Sequence, residues 1–216
     1  YGVLLFRDQD ITPEQHLAFA ECVGEVEINR FFQRVANYSK IAEVRKEPEQ
    51  QTAIGELWHT DHSYDLEPAL GSILVARELP KHGGDTMFAD MRRALKTLPD
   101  ETRLRITGRR GRHSYTRNFE NNESLNSGRP AITSNQRSQI PGATHPMVRT
   151  LTDTYNQTLY INPGFTFAIE DMDAAESEAL LSELFAHSTR PELVYVHKWK
   201  PHDLLCWDNR TVMHHA

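Results

Sequence analysis

The chain has 216 residues, 38% of them hydrophobic and 25% charged, and a formal net charge of -6. That length allows one domain with a sizeable core, and the acidic balance excludes the basic footprint of a nucleic-acid binder. No apolar run approaches a membrane span and no signal-peptide pattern opens the chain, while two lone cysteines, Cys22 and Cys206, make no disulfide framework and point to a reducing cytoplasm.

In chain order, Gly2–Phe6 reads as a short apolar strand. Thr12-Pro13-Glu14-Gln15 starts a helix: Thr12 caps, Pro13 suits the first helical position and Gln15 completes a capping box. Leu17, Ala20 and Val23 give this helix an apolar face, and Gly24 ends it. Val26–Phe32 is extended, Ile41–Val44 is a weak strand, and Lys46–Ala53 is a polar loop. Gly71–Ala76 is a strand with a near-continuous apolar run. Lys81–Gly84 is a turn before a strand at Thr86–Ala89, and Asp90 caps a helix bearing Met91, Ala94, Leu95 and Leu98. Pro99 starts a second short helix that ends near Gly108. Asn121–Gly142, rich in Asn, Ser, Gly, Pro and Arg, is a long loop of the kind that serves as a lid. Met147–Arg149 and Thr158–Asn162 are strands. Asp173-Ala174-Ala175-Glu176 is a second capping box, opening a helix with Leu180, Leu181, Leu184 and Phe185 at helical spacing. Leu193–Trp199, Leu204–Trp207 and Arg210–His215 complete the strands. The chain starts at Tyr1 and stops inside the last strand, so we expect a single domain over 1–216 lacking N- and C-terminal segments. Many short strands broken by a few helices predict a mainly β architecture with flanking helices, a sandwich or jelly roll.

The chemistry concentrates in Trp58-His59-Thr60-Asp61-His62. On a strand, residues two apart share a face, so an imidazole of His59 and the carboxylate of Asp61 converge. A second histidine from Trp207-Asp208-Asn209-Arg210 onward, His214 or His215, would complete two His and one carboxylate with other positions open, the ligand set of non-haem Fe(II) oxygenases. His62 falls on the opposite face and reads as a surface or supporting residue.

At Trp58–Asp61, Gly83-Gly84-Asp85-Thr86, Asn162-Pro163-Gly164-Phe165-Thr166 and Trp207–Arg210 leading to His214, the chain resembles the taurine and aryloxyalkanoate dioxygenases, over nearly its whole length. The resemblance implies a double-stranded β-helix (jelly roll), dependence on Fe(II) and 2-oxoglutarate, and hydroxylation of a small anionic compound by O2 with release of succinate and CO2. It implies His59, Asp61 and His214 as iron ligands, choosing His214 over His215, and Thr86 as a contact to the 2-oxoglutarate carboxylate. The arginine that clamps the far carboxylate would lie beyond residue 216, and Arg210 is out of place for it, reading instead as a structural partner of Asp208 or a nearby carboxylate. Substrate positions would be Asn29, Phe32, Asn118, Phe119 and Phe165. Where the taurine enzymes carry a histidine and a tyrosine, this chain has Asn29 and Phe32, and Gly55-Glu56-Leu57 lacks their asparagine, which argues against taurine itself. A homo-oligomer with no nucleic-acid or membrane partner is the expected assembly.

Two other readings use the same residues. A divalent-metal hydrolase would let His, Asp and His activate water, and a jelly-roll binding protein would keep the fold without turnover. His113, His145, His187, His197 and His202 read as structural or surface histidines, and Arg109, Arg110 and Arg112 as a solvated face able to steer an anion.

Overall fold

The computed structural model describes residues 2–47, 55–120 and 140–216, the side chains of 118–120 excepted. The predicted loop therefore lies outside the described residues from 121 to 139, as do the side chains of Asn118 and Phe119. Among the described residues the order is β1 (Val3–Phe6), α1 (Pro13–Val23), β2 (Gln33–Val35), β3 (Tyr38–Glu43), β4 (Gly71–Val75), β5 (Thr86–Asp90), α2 (Met91–Lys96), α3 (Asp100–Ile106), β6 (Arg110–His113), α4 (Tyr115–Glu120), β7 (Ala143–Pro146), β8 (Val148–Thr150), β9 (Gln157–Leu159), β10 (Thr166–Ile169), α5 (Ala174–Ser188), β11 (Val194–His197), β12 (Leu204–Asp208) and β13 (Val212–His215). The protein is thus mainly β with flanking helices.

Three three-stranded sheets have the orders β1-β12-β4, β11-β5-β13 and β10-β6-β7. The first two share a core. Phe88 and Val212 from one sheet meet Leu205 and Trp207 from the other, with Val3, Leu5 and Leu74 beside them. The opposite face of β5 and β13 carries Ala89 and Met213 into a second core with Leu95, Leu98, Leu180, Leu184, Leu159 and Ile161. Alternation along β5 and β13 therefore feeds both cores, leaving little freedom of register.

The predicted helix starts hold. Thr12 and Gln15 form the reciprocal capping box with Pro13 at the helix start, Asp90 accepts from the amides of Arg92 and Arg93, and Asp173 accepts from those of Ala175 and Glu176. Gly24 ends α1 as expected, in extended backbone with φ 175°, its N–H donating to Ala20 O. The apolar face of α1 is only partly covered: Leu17 and Ala20 are half-buried and Val23 is 58% exposed. No helix among the described residues is long and apolar enough to cross a membrane.

Candidate metal centre

The segment from Gly55 runs antiparallel to β13. Ala216 N donates to Gly55 O at 3.0 Å, and His59 and His214 exchange both backbone hydrogen bonds at 2.9 and 2.8 Å. His59 is a single bridge rather than part of a strand, and Asp61 lies in the turn that follows. This corrects the strand expected across both residues, although their side chains still converge. His59 Nε2 lies 3.5 Å and His214 Nε2 3.7 Å from Asp61 Oδ1, and the three ligand atoms all fall within 4.8 Å of one another.

The second histidine is selected by sheet register. His214 pairs with Phe88 and Met213 with Ala89, so His214 shares the sandwich face with Phe88 and Val212. His215 takes the other face, where its ring meets Trp58 at 5.5 Å. Two of the three ligands, His59 and Asp61, have a supporting hydrogen bond. His59 Nδ1 is 2.7 Å from Leu57 O, so Nδ1 carries the proton and Nε2 presents a lone pair. Ser72 Oγ donates to Asp61 Oδ2 at 2.7 Å, and Asn209 Nδ2 donates to Ser72 Oγ at 3.3 Å. Oδ1 is left facing the imidazoles.

Electrostatics suit a cation here. Burial pushes the pKa of His214 down to about 3, and neighbouring His59 adds to the effect. Burial opposes the Asp61 carboxylate, but the imidazoles of His214 and His59 and the Ser72 hydroxyl outweigh it and hold the group below the usual carboxylate range. Two imidazoles and one carboxylate around a shared point fit a divalent metal with open positions.

Thr86 opens β5, two residues from Phe88, and so lies on the face that carries His214. Phe165 stands edge-on to His59, with ring centroids 6.0 Å apart, and packs with Tyr64, Tyr115 and Phe31. Phe31 stacks on Tyr115 at 4.6 Å, so the residue seen in this wall is Phe31, the neighbour of the predicted Phe32. Asn29 Oδ1 accepts from the amides of Phe31 and Phe32. Its carboxamide oxygen thus shapes the turn that presents them.

Other predicted side chains take structural posts. Arg210 pairs with Asp208 and Asp153. His113, 1% exposed, sits 3.2 Å from Ser63 Oγ and 3.3 Å from Thr166 Oγ1 through Nδ1. Asn162 joins this group, donating to Ser63 and accepting from Phe165 N. His62 pairs with Asp65, which also binds Arg30. Ser72 and Phe31 escaped the sequence reading. Ser72 is one polar residue in an apolar strand, and Phe31 lies where no periodicity marks a face.

The family model described as taurine catabolism dioxygenase TauD, TfdA family matches residues 1–216. The chain is 33% identical to an alpha-ketoglutarate-dependent 2,4-dichlorophenoxyacetate dioxygenase of Burkholderia sp. (strain RASC), spanning 99% of this chain and 75% of that protein. It is 30% identical to an (S)-phenoxypropionate/alpha-ketoglutarate-dioxygenase of Sphingobium herbicidovorans, spanning 100% of this chain and 76% of the relative. The crystal structure of AAD-2 in complex with Mn(II) and N-oxalylglycine is similar at a TM-score of 0.78 and 36% identity, covering 100% of this chain and 75% of that one.

Proposed function

We propose that this chain, which belongs to the taurine catabolism dioxygenase TauD, TfdA family, is an Fe(II)- and 2-oxoglutarate-dependent dioxygenase that hydroxylates a small anionic organic compound. Succinate and CO2 are the other products. The observation that carries the proposal is the meeting of His59, Asp61 and His214, with ligand atoms within 4.8 Å, in a chain matched by the family model from end to end. The two facing sheets, with the His59 segment added beside β13 at His214, support a double-stranded β-helix. Unpaired Cys22 and Cys206 support a reducing compartment, the cytoplasm.

When bound, iron with 2-oxoglutarate supplies the oxidising power for C–H hydroxylation, and the protein supplies geometry and a dry, shaped site. His59 and His214 would hold the metal through Nε2, and Asp61 through Oδ1. Leu57 O and Ser72 Oγ orient the first and third of these groups. Thr86, on the same face as His214, would offer its hydroxyl to a carboxylate of 2-oxoglutarate. Phe165, Tyr64, Tyr115 and Phe31 exclude water beside His59 and give a planar ring edge-on and stacked contacts. Among sulfonates, alkyl sulfates, aryloxyalkanoates and biosynthetic carboxylates, this wall favours an anion that bears an aromatic ring.

The test is succinate release by the protein given Fe(II), ascorbate and 2-oxoglutarate, across a panel of aryloxyalkanoates, alkyl sulfates and sulfonates. We expect turnover with ring-bearing members. Absence of 2-oxoglutarate binding by calorimetry, together with tight Zn(II) and ester or amide cleavage, would replace the proposal with a hydrolase.

A further inference from the structure

We propose that Trp199 is a positioning residue that fixes the Thr86 hydroxyl as a hydrogen-bond donor toward an anionic ligand. The inference rests on the reading of Thr86 as a contact to the 2-oxoglutarate carboxylate.

Trp199 Nε1 lies 2.9 Å from Thr86 Oγ1. An indole N–H only donates, whereas a threonine hydroxyl has one proton and two lone pairs. The direction of this bond is therefore determined: Trp199 donates and Thr86 accepts. One lone pair of Oγ1 is filled, and its own proton is directed elsewhere. The hydrogen bonds among the described residues give that proton no protein acceptor. Thr86 is 8% exposed, so the proton is held for whatever occupies the face shared with Phe88 and His214. A carboxylate oxygen accepts it, whereas an ammonium or amide N–H at the same place would meet a donor. Without the indole the hydroxyl is a free rotor, able to turn its proton away or to bind water.

The indole is anchored from its own strand end. His197 pairs in register with Thr86, so Trp199, two residues on, reaches back over it. The His197 ring meets the indole edge-on, with centroids 4.6 Å apart at 89°. His197 and Asp203 are fully buried and lie 3.2 Å apart. Asp203 also accepts from Lys200 N at 2.7 Å and pairs at 2.5 Å with Arg7, the residue that follows β1. The turn carrying Trp199 is thus tied to the neighbouring sheet by a buried carboxylate, and partial burial against the Phe88–Trp207 core adds shape. This scaffold fixes where the indole N–H points before any ligand arrives.

The experiment measures 2-oxoglutarate affinity by calorimetry on the Mn(II)-loaded protein, with Mn(II) affinity and melting temperature measured separately. The variants are Trp199→Phe, Thr86→Val, their double and Thr86→Ser. We expect Trp199→Phe to weaken 2-oxoglutarate about tenfold, the order for one hydrogen bond to an ionised group, while Mn(II) affinity holds. Thr86→Val should weaken it at least as much, the double variant no further than Thr86→Val alone, and Thr86→Ser should bind normally. Benzothienylalanine at position 199 deletes the N–H while keeping the ring shape, and should reproduce Trp199→Phe even if phenylalanine loosens the core. If Thr86→Val leaves 2-oxoglutarate affinity unchanged, the Thr86 contact itself is wrong. If Thr86→Val weakens binding but removal of the indole N–H does not, or if the two effects add in full, the contact stands and the positioning role of Trp199 is overturned.

Discussion

Ser72 spends its one proton on Asp61, donating to Oδ2 at 2.7 Å, while Asn209, 1% exposed, donates to the Ser72 oxygen at 3.3 Å. The carboxylate is thereby held by one oxygen and free at the other. Outer partners of this kind typically contribute about 10–100-fold in metal affinity. Ser72→Ala is expected to weaken Mn(II) binding at least tenfold, within that range of about 10–100-fold, with little change in melting temperature. Isothermal titration of the metal-free protein checks it, and wild-type affinity would remove Ser72 from the site.

The two adjacent histidines should behave oppositely. His214 faces the sandwich with Phe88, and His215 faces Trp58. His214→Ala, like His59→Ala or Asp61→Ala, is expected to abolish metal retention and leave the fold largely intact. His215→Ala should keep the metal and lose at most a modest part of stability. Metal content after dialysis, read beside far-UV circular dichroism, distinguishes them. Loss of metal on His215→Ala with retention on His214→Ala would mean that the register of β13 has been misjudged.

The legible parts of this protein are those in which local chemistry decides. Thr12, Asp90 and Asp173 announce helix starts because a side chain must satisfy amides within three residues. His59 and Asp61 were visible because their spacing came with Trp58, the Gly83–Thr86 turn and the late Trp207–Arg210 segment, although a bridge and a turn, rather than a strand, bring them together. Strands β6 and β7 were not visible. Arg110–His113 has no aliphatic or aromatic residue beyond a histidine, and what it buries is Gly111 and His113, so the usual strand signal is missing. The cluster of Arg109, Arg110 and Arg112 reads as a solvated face and is one, all three being exposed, while Gly111 and His113 alternate inward. Ser72 needed the pairing of β4 with β12, where it sits opposite Trp207, before its neighbours could be known. The apolar residues of α1 illustrate the converse: their spacing states which face could be buried, not whether anything covers it.

Acid should destabilise the metal-free protein, and His113 is one reason. Burial pushes its pKa down to about 3, with His145 and Arg149 adding to the effect, whereas an unfolded histidine titrates near 6.5. Between those values the unfolded chain holds a proton that the folded one refuses, so stability falls as pH drops through the window and is unaffected above it. The loss is on the order of a few kcal/mol by the lower end. His113→Gln cannot titrate and should flatten the dependence, leaving the part due to His214, which shifts the same way. Urea melts at neutral and mildly acidic pH measure both slopes, and an unchanged slope in the variant would exclude His113 as a source.

The Asn162–Thr166 segment approaches the metal centre through Gly164. Its amide donates to Trp58 O at 2.9 Å, and a Cβ built on it would fall 2.8 Å from His59 Cβ and 3.2 Å from Trp58 O. Neither neighbour is the loose end of a flexible side chain, so a methyl group must displace the backbone that aims His59. Overpacking of this sort typically costs about 1–3 kcal/mol, a fall in melting temperature of about 2–12 °C at this size. The heavier consequence should be in the site, because His59 cannot shift without drawing its Nε2 away from Asp61 Oδ1. Gly164→Ala is therefore expected to lower metal affinity at least about tenfold, comparable to removing an outer partner. Gly24→Ala is the control, since its backbone is extended and a Cβ there meets nothing within 4 Å. It should leave metal affinity and stability near wild type. Equal metal affinity in the two variants would mean that the loop yields at Gly164, and that His59 is held by its pairing with His214 and by Leu57 O alone.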